Sequence, residues 1–154
     1  MLGISRADAK NYIDTFYQNY PQVREFFDGL IAGCKEKGYV ETMFWRRRYI
    51  PGINDSNRMI ASWAEREAMN MPIQWTSADI IKLAMIRIHK YIKDNNLESK
   101  LIMQVHDELV FNVVEKEKEQ LLPVIQEIME GIVPNTDIHL KVDIGVGKNW
   151  KEAK

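Results

Sequence analysis

Cysteine is nearly absent from this sequence. Cys34 stands alone, so no internal disulfide can form, and nothing near it has metal-ligand spacing. It is expected to be a small buried or half-buried helix residue. There is no apolar run of roughly 18 residues, the length a membrane-spanning helix needs. The N-terminus also lacks the basic, apolar and small-residue order of a signal peptide. Together these absences predict a cytoplasmic chain with no membrane partner. A basic surplus is missing as well, the formal net charge being −1. Phosphate neutralisation by Lys and Arg normally leaves a basic footprint, so total charge alone does not announce a nucleic-acid binder. No internal repeat, low-complexity tract or linker breaks the chain, which reads as a single unit over residues 1–154.

What is present suffices for a folded domain: 154 residues, 45 % of them hydrophobic, can bury a real core. The charge is also unevenly placed. Residues 35–66 carry seven Lys or Arg against four Asp or Glu, whereas residues 107–154 carry six against ten. A basic zone and an acidic zone on different parts of the chain fit a duplex on one side and a metal site or solvent on the other.

The first stretch opens with Ser5 and Asp8 at capping-box spacing, and its apolar residues Ala9, Tyr12, Ile13, Phe16, Tyr17 and Tyr20 alternate by three and four. This predicts an amphipathic helix of about fourteen residues, ended by Pro21. A second helix over residues 22–37 places Val23, Phe26, Phe27, Leu30, Ile31 and Cys34 on one side and stops at Gly38, a natural left-handed cap. Core packing of the Tyr and Phe stripe is the simpler reading, base stacking the other. From Tyr39 to Ile50 the residues are β-branched and aromatic at both ends, which predicts a hairpin or extended loop carrying Arg46, Arg47 and Arg48. Strand side chains alternate, so at most two of the three arginines meet a phosphate backbone together; a plain solvated loop also explains them.

Further on, residues 57–69 predict a helix with Met59, Ile60, Trp63, Ala64 and Met69 inward, broken by Pro72. Thr76 and Asp79 suggest a second capping box. From it runs a long helix, residues 77–95, burying Ile80, Ile81, Leu83, Ala84, Ile88 and Ile92 and exposing Lys82, Arg87, Lys90 and Lys93. A later helix runs from the Glu and Lys tract at 115–120 to Gly131, starting late or kinked at Pro123. Residues 138–146 alternate apolar and polar like a half-buried strand, and Trp150 is expected to pack near the end. Helices first and a small antiparallel sheet last give an α+β fold.

Between the long helix and the next lies Leu101-Ile102-Met103-Gln104-Val105-His106-Asp107-Glu108-Leu109-Val110-Phe111-Asn112-Val113-Val114. Both flanks read as strands, with the charged triplet at the turn. Adjacent carboxylates on a rigid turn are hard oxygen ligands suited to magnesium or manganese. A solvated turn is the plainer alternative.

The words Gln-Val-His-Asp-Glu-Leu-Val-Phe, after a helix opening Pro-Ile-Gln-x-Thr-x-Ala-Asp, resemble the C-terminal polymerase segment of family A DNA polymerases, the bacterial DNA polymerase I type. Asn19-Tyr20-Pro21-x-Val23, Gly38-Tyr39-Val40-Glu41-Thr42, Arg46-Arg47-Arg48-Tyr49, Ala64-Glu65-Arg66, Asn70-x-Pro72-Ile73-Gln74, Ala78-Asp79-Ile80-Ile81-Lys82 and Gly147-x-Asn149-Trp150 stand in the same order. The resemblance implies the end of the fingers over residues 1–38 and the C-terminal half of the palm with adjoining helices over 39–154. It further implies part of a DNA-directed DNA polymerase of replication or repair, working by two-metal nucleotidyl transfer with Mg2+. Asp107 resembles the motif C carboxylate that holds the metals, and Glu108 its supporting neighbour. His106 then meets the primer end, and Arg66, Asn70 and Gln74 look at the minor groove of the nascent duplex, where a donor finds acceptors shared by A·T and G·C. Taken without the resemblance, those three are a helix salt bridge, a helix C-cap and a turn amide.

Other family words are not found. Asp-Tyr-Ser-x-Ile-Glu, with the other metal carboxylate, does not occur, and the Arg-x-x-x-Lys spacing of the nucleotide-gripping helix is met only by Arg6 and Lys10, directly after Leu-Gly-Ile-Ser. The chain alone is therefore expected to be inactive. Its expected partners are primer-template DNA, deoxynucleoside triphosphates in the complete enzyme, and an upstream polymerase half or a second copy. A non-catalytic remnant that binds duplex weakly, or a self-associating module, is the other reading. Three positions depart from the family pattern: Trp45 and Trp75 where Gly is usual, and Ala61 where Arg is common.

Overall fold

The computed structural model of the chain describes residues 3–134 and 136–153. It is α+β, with long helices and two separate two-stranded antiparallel sheets. The described chain divides into two compact units, Met1–Thr76 and Ser77–Lys154.

In the first unit, α1 (Arg6–Asn19) begins at the Ser5–Asp8 capping box that the sequence predicts, and α2 (Pro21–Lys37) stops at Gly38, whose φ of 78° only glycine adopts freely. The hairpin follows as β1 (Tyr39–Glu41) and β2 (Arg47–Tyr49), pairing Tyr39 with Tyr49 and Glu41 with Arg47. The core gathers Cys34, Val40, Ile50, Ile53, Ala64, Ala68 and Met71, with Trp75 packed against it. Burial pushes the Cys34 thiol up, as does the nearby Glu67 carboxylate. The stripe on α1 is not core: Tyr12, Ile13, Phe16 and Tyr20 are exposed.

One helix, α3 (Arg58–Asp94), replaces the two expected, and Pro72 lies inside it. Proline removes one helical hydrogen bond and costs about 3 kcal/mol, enough to end an isolated helix. Here contacts distant in sequence hold the next turn. Trp75 packs on the core, and the Thr76 hydroxyl accepts the Met43 N–H at 3.0 Å instead of capping a new helix. Of the residues expected inward on α3 before Pro72, Ala64 is buried but Met59, Ile60 and Trp63 are not. Ala68 and Met71 are also buried.

In the second unit the later part of α3 buries Ala84, Ile88 and Ile92. After it come β3 (Lys100–Val105) and β4 (Glu108–Asn112), in register from Lys100 with Asn112 to Val105 with Glu108, with a bulge between Leu101 and Met103. A single 3-10 turn (Glu115–Glu117) leads into α4 (Lys118–Glu130), which keeps Pro123 within it and buries Leu121 and Ile125. The half-buried strand expected over 138–146 does not form: the segment has no ladder partner among the described residues, and Ile138, Ile144 and Val146 are exposed. Alternation specifies which side chains share a face but not which strand supplies hydrogen bonds. The Val142 N–H is met by the Glu130 carboxylate at 3.0 Å instead. Residues 148–153 fold back so closely that a Cβ on Gly145 would overlap the Ala153 carbonyl. Trp150 is partly exposed there.

Candidate carboxylate turn and nucleic-acid interface

The β3–β4 connection is the shortest a hairpin allows, His106 and Asp107 alone linking Val105 to Glu108. His106 has a φ of 53°, at the first central position where two-residue turns usually place glycine. The Gln104 side chain donates to the His106 carbonyl, tying the turn to β3. His106 and Asp107 are exposed and Glu108, first residue of β4, is half-buried. The hairpin thus fixes one solvent-facing carboxylate and one partly enclosed neighbour.

Magnesium keeps several waters and binds through one or two carboxylates plus substrate phosphates. Asp107 with Glu108 fits one side of such a site. Among the described residues no group of three or more His, Cys, Asp or Glu is placed to hold a metal, so they do not compose a whole one.

Arg66, Asn70 and Gln74 are all exposed. Because α3 continues through Pro72, their spacing of four sets them in one row along the helix, about 6 Å apart. The sequence alone places them on a helix, at its end and in a turn. The guanidinium of Arg66 lies over the Trp63 ring, 5.8 Å from its centroid.

The arginines of the hairpin separate by alternation. Arg46 and Arg48 turn to Trp75, their guanidinium carbons 4.2 Å and 5.0 Å from its ring centroid, and Arg46 also donates to the Trp75 carbonyl at 3.1 Å. Arg48 further pairs with Glu67. Arg47 is exposed, bound to Glu41 at 2.8 Å and lying 4.7 Å over the Tyr39 ring. The Glu41 hydrogen bond holds its guanidinium even more firmly protonated than usual. Ion pairs at the surface are screened by solvent and contribute little to stability. Trp75 and Arg48 were not singled out as a pair by their types. The signal was the period of two in Arg46-Arg47-Arg48, which sends the outer two to one face.

The family model for DNA polymerase family A matches residues 1–152. The chain belongs to DNA polymerase family A. Relatives of this family A chain include DNA polymerase I of Lactococcus lactis subsp. cremoris, 43 % identical over 153 residues that make up 99 % of this chain and 17 % of the relative. DNA polymerase I of Caldicellulosiruptor bescii is 42 % identical, over 99 % of this chain and 18 % of its own length. Among solved structures, the POL domain of Pol1 from M. smegmatis, in complex with DNA primer-template and dNTP, superposes with a TM-score of 0.92 at 39 % identity. That match covers 99 % of this chain and 27 % of the other. The family A chain thus spans under one fifth of the length of these curated relatives. Family A DNA polymerases use divalent metal ions. No helix among the described residues is long and apolar enough to cross a membrane.

Proposed function

We propose that this chain is the C-terminal part of a DNA-directed DNA polymerase, residues 1–38 ending the fingers and 39–154 forming the later half of the palm. The observation that carries this reading is its likeness, over nearly all its length, to a polymerase domain bound to primer-template and nucleotide. The exposed side chains are consistent with it. Asp107, with Glu108 beside it, provides one side of a magnesium site. When bound, the ion supplies a lowered pKa at the attacking hydroxyl and charge neutralisation at the triphosphate. His106 sits next to that carboxylate on the turn, where it can reach the primer end. Arg66, Asn70 and Gln74 present donors in one row toward the minor groove, whose acceptors A·T and G·C pairs share. Arg47 meets the phosphate backbone, and Arg46, held on Trp75, adds to the local positive field. The working location is the DNA itself, in a bacterial nucleoid or a phage-infected cell.

Two carboxylates do not make a two-metal site, so the chain alone does not polymerise. Mixed with an upstream polymerase half that carries the other carboxylate and the nucleotide-gripping helix, it restores templated incorporation, and Asp107→Ala abolishes the restored activity. Incorporation by the chain alone, or restored activity indifferent to Asp107→Ala, overturns this reading. Loss with no restoration by any upstream half favours the non-catalytic remnant.

A further inference from the structure

The turn between β1 and β2 is built around one buried side chain, Thr42. Its backbone N–H donates to the Arg46 carbonyl and its own carbonyl accepts the Trp45 N–H, both at 3.0 Å. Its hydroxyl accepts the N–H groups of Phe44 and Arg46, each at 3.2 Å. Four hydrogen bonds therefore fix the backbone of this turn, and they fix Trp45 at a φ of 64°. A bulky residue in that left-handed region is strained, and glycine is its usual occupant.

The indole obtains nothing from the fold in return. Trp45 is 79 % exposed, more than any other large hydrophobic side chain among the described residues. Buried aromatics dominate core energetics, whereas this one is held out in water on a rigid turn. Exposure then alternates along the strand: Trp45, Arg47 and Tyr49 are outward, Arg46 and Arg48 turned toward Trp75. Tyr39 extends the outward face, its ring edge-on to Tyr49 at 5.6 Å and under the Arg47 guanidinium. Three arginines stand on this hairpin against one carboxylate, Glu41.

Aromatic rings interleaved with arginine on an exposed strand face form the platform on which unpaired bases stack while cations track their phosphates. The geometry points to Trp45 as a stacking residue for an unpaired base of the nucleic acid, in the single-stranded template beyond the duplex. This inference rests on the proposed nucleic-acid function and adds to it a specific contact. A peptide partner is less well matched, because apart from Arg47, Glu41 and the Tyr39 and Tyr49 hydroxyls this face offers no directional polar groups.

The test is a fluorescence-anisotropy titration of a labelled primer-template with an unpaired 5′ overhang, beside a blunt duplex of equal length, over a range of salt. Trp45→Gly is expected to weaken overhang binding about tenfold, the worth of one stacked base, and blunt-duplex binding less than about twofold. The dependence on salt stays the same, since stacking releases no counterion. Trp45→Phe retains most of the affinity, and indole fluorescence quenched by the overhang in the native chain is lost in Trp45→Gly. The thermal midpoint of Trp45→Gly is unchanged or raised, because glycine accepts the positive φ. If the native chain binds and Trp45→Gly holds the overhang equally well, stacking is overturned and the polymerase reading stands. A midpoint several degrees lower in Trp45→Gly makes Trp45 a packing residue and also overturns it. If the native chain shows no salt-dependent binding to either DNA, the nucleic-acid reading falls, and this inference with it.

Discussion

Among single residues, Glu117 shows how a buried charge is made tolerable. Its carboxylate accepts the backbone N–H groups of Glu98 at 2.9 Å and Ser99 at 3.0 Å, and the Ser99 hydroxyl at 2.6 Å. Ser99 in turn accepts the Val114 N–H at 3.0 Å. The network ties both ends of the β3–β4 hairpin, and so the strands behind Asp107, to the start of the next helix. The Glu98 N–H, the Ser99 hydroxyl and the Ser99 N–H hold the Glu117 carboxyl below its ordinary 4.5, and the nearby Lys116 ammonium lowers it further. A depressed folded-state pKa gives stability that is fully present above the unfolded value and lost as pH falls through the folded one. Unfolding midpoints are therefore expected to hold near neutral pH and to decline below about pH 4.5. Glu117→Gln lowers the midpoint at neutral pH and flattens that decline, as thermal melts followed by circular dichroism from pH 3 to 7 will read. Ser99→Ala strands the Val114 N–H and removes a donor to the carboxylate, costing about 1–3 kcal/mol near neutral pH and less once Glu117 is protonated.

At the scale of elements, α3 decides what could be read in advance. Ser5 with Asp8, Gly38, the β-branched run on either side of His106-Asp107 and the helical period of Ala84, Ile88 and Ile92 are local signals, and each appears where expected. The position of Asp107 and Glu108 at a hairpin turn was legible for the same reason, because two adjacent strands and a two-residue turn define their setting. Pro72 misled because its penalty is local while the contacts that outweigh it, Met43 to Thr76 and the two arginines on Trp75, join distant parts of the chain. Residues 138–146 misled in the opposite way: the alternation is there, but a strand also needs a neighbour. Arg66, Asn70 and Gln74 were identifiable one by one, yet their row existed only once the helix was continuous. That row makes a prediction. Arg66→Ala and Gln74→Ala each weaken binding of a blunt duplex, by about 1 kcal/mol and to the same extent for A·T-rich and G·C-rich sequences. Arg66→Ala alone reduces the slope of log affinity against log salt, because it alone of the two carries a charge, while Gln74→Ala leaves it unchanged. Anisotropy titrations at four salt concentrations separate the two, and a strong dependence on sequence would remove these residues from the minor groove.

For the whole molecule, the balance is between what the chain exposes and what could cover it. Tyr12, Ile13, Phe16, Tyr20 and Phe26 leave a run of aromatic and aliphatic surface on α1 and α2, though α1 has a complete capping box and buries no residue of its own. Contiguous exposed apolar patches favour association, and a net charge of −1 offers little repulsion against it. The isolated chain is accordingly expected to self-associate as its concentration rises, and sedimentation velocity over a hundredfold concentration range will show species larger than one chain. Phe16→Asp shifts that equilibrium toward monomer without lowering the thermal midpoint by more than a few degrees, since the ring is 47 % exposed. The polymerase reading adds a second arm to the same experiment. An upstream polymerase half competes with self-association, so adding it shrinks the larger species as templated incorporation appears, and the two titrations share one midpoint. If the larger species persist while activity is restored, the α1 and α2 surface is not where the upstream half binds. If the chain stays monomeric throughout, self-association ceases to be a rival account of this molecule.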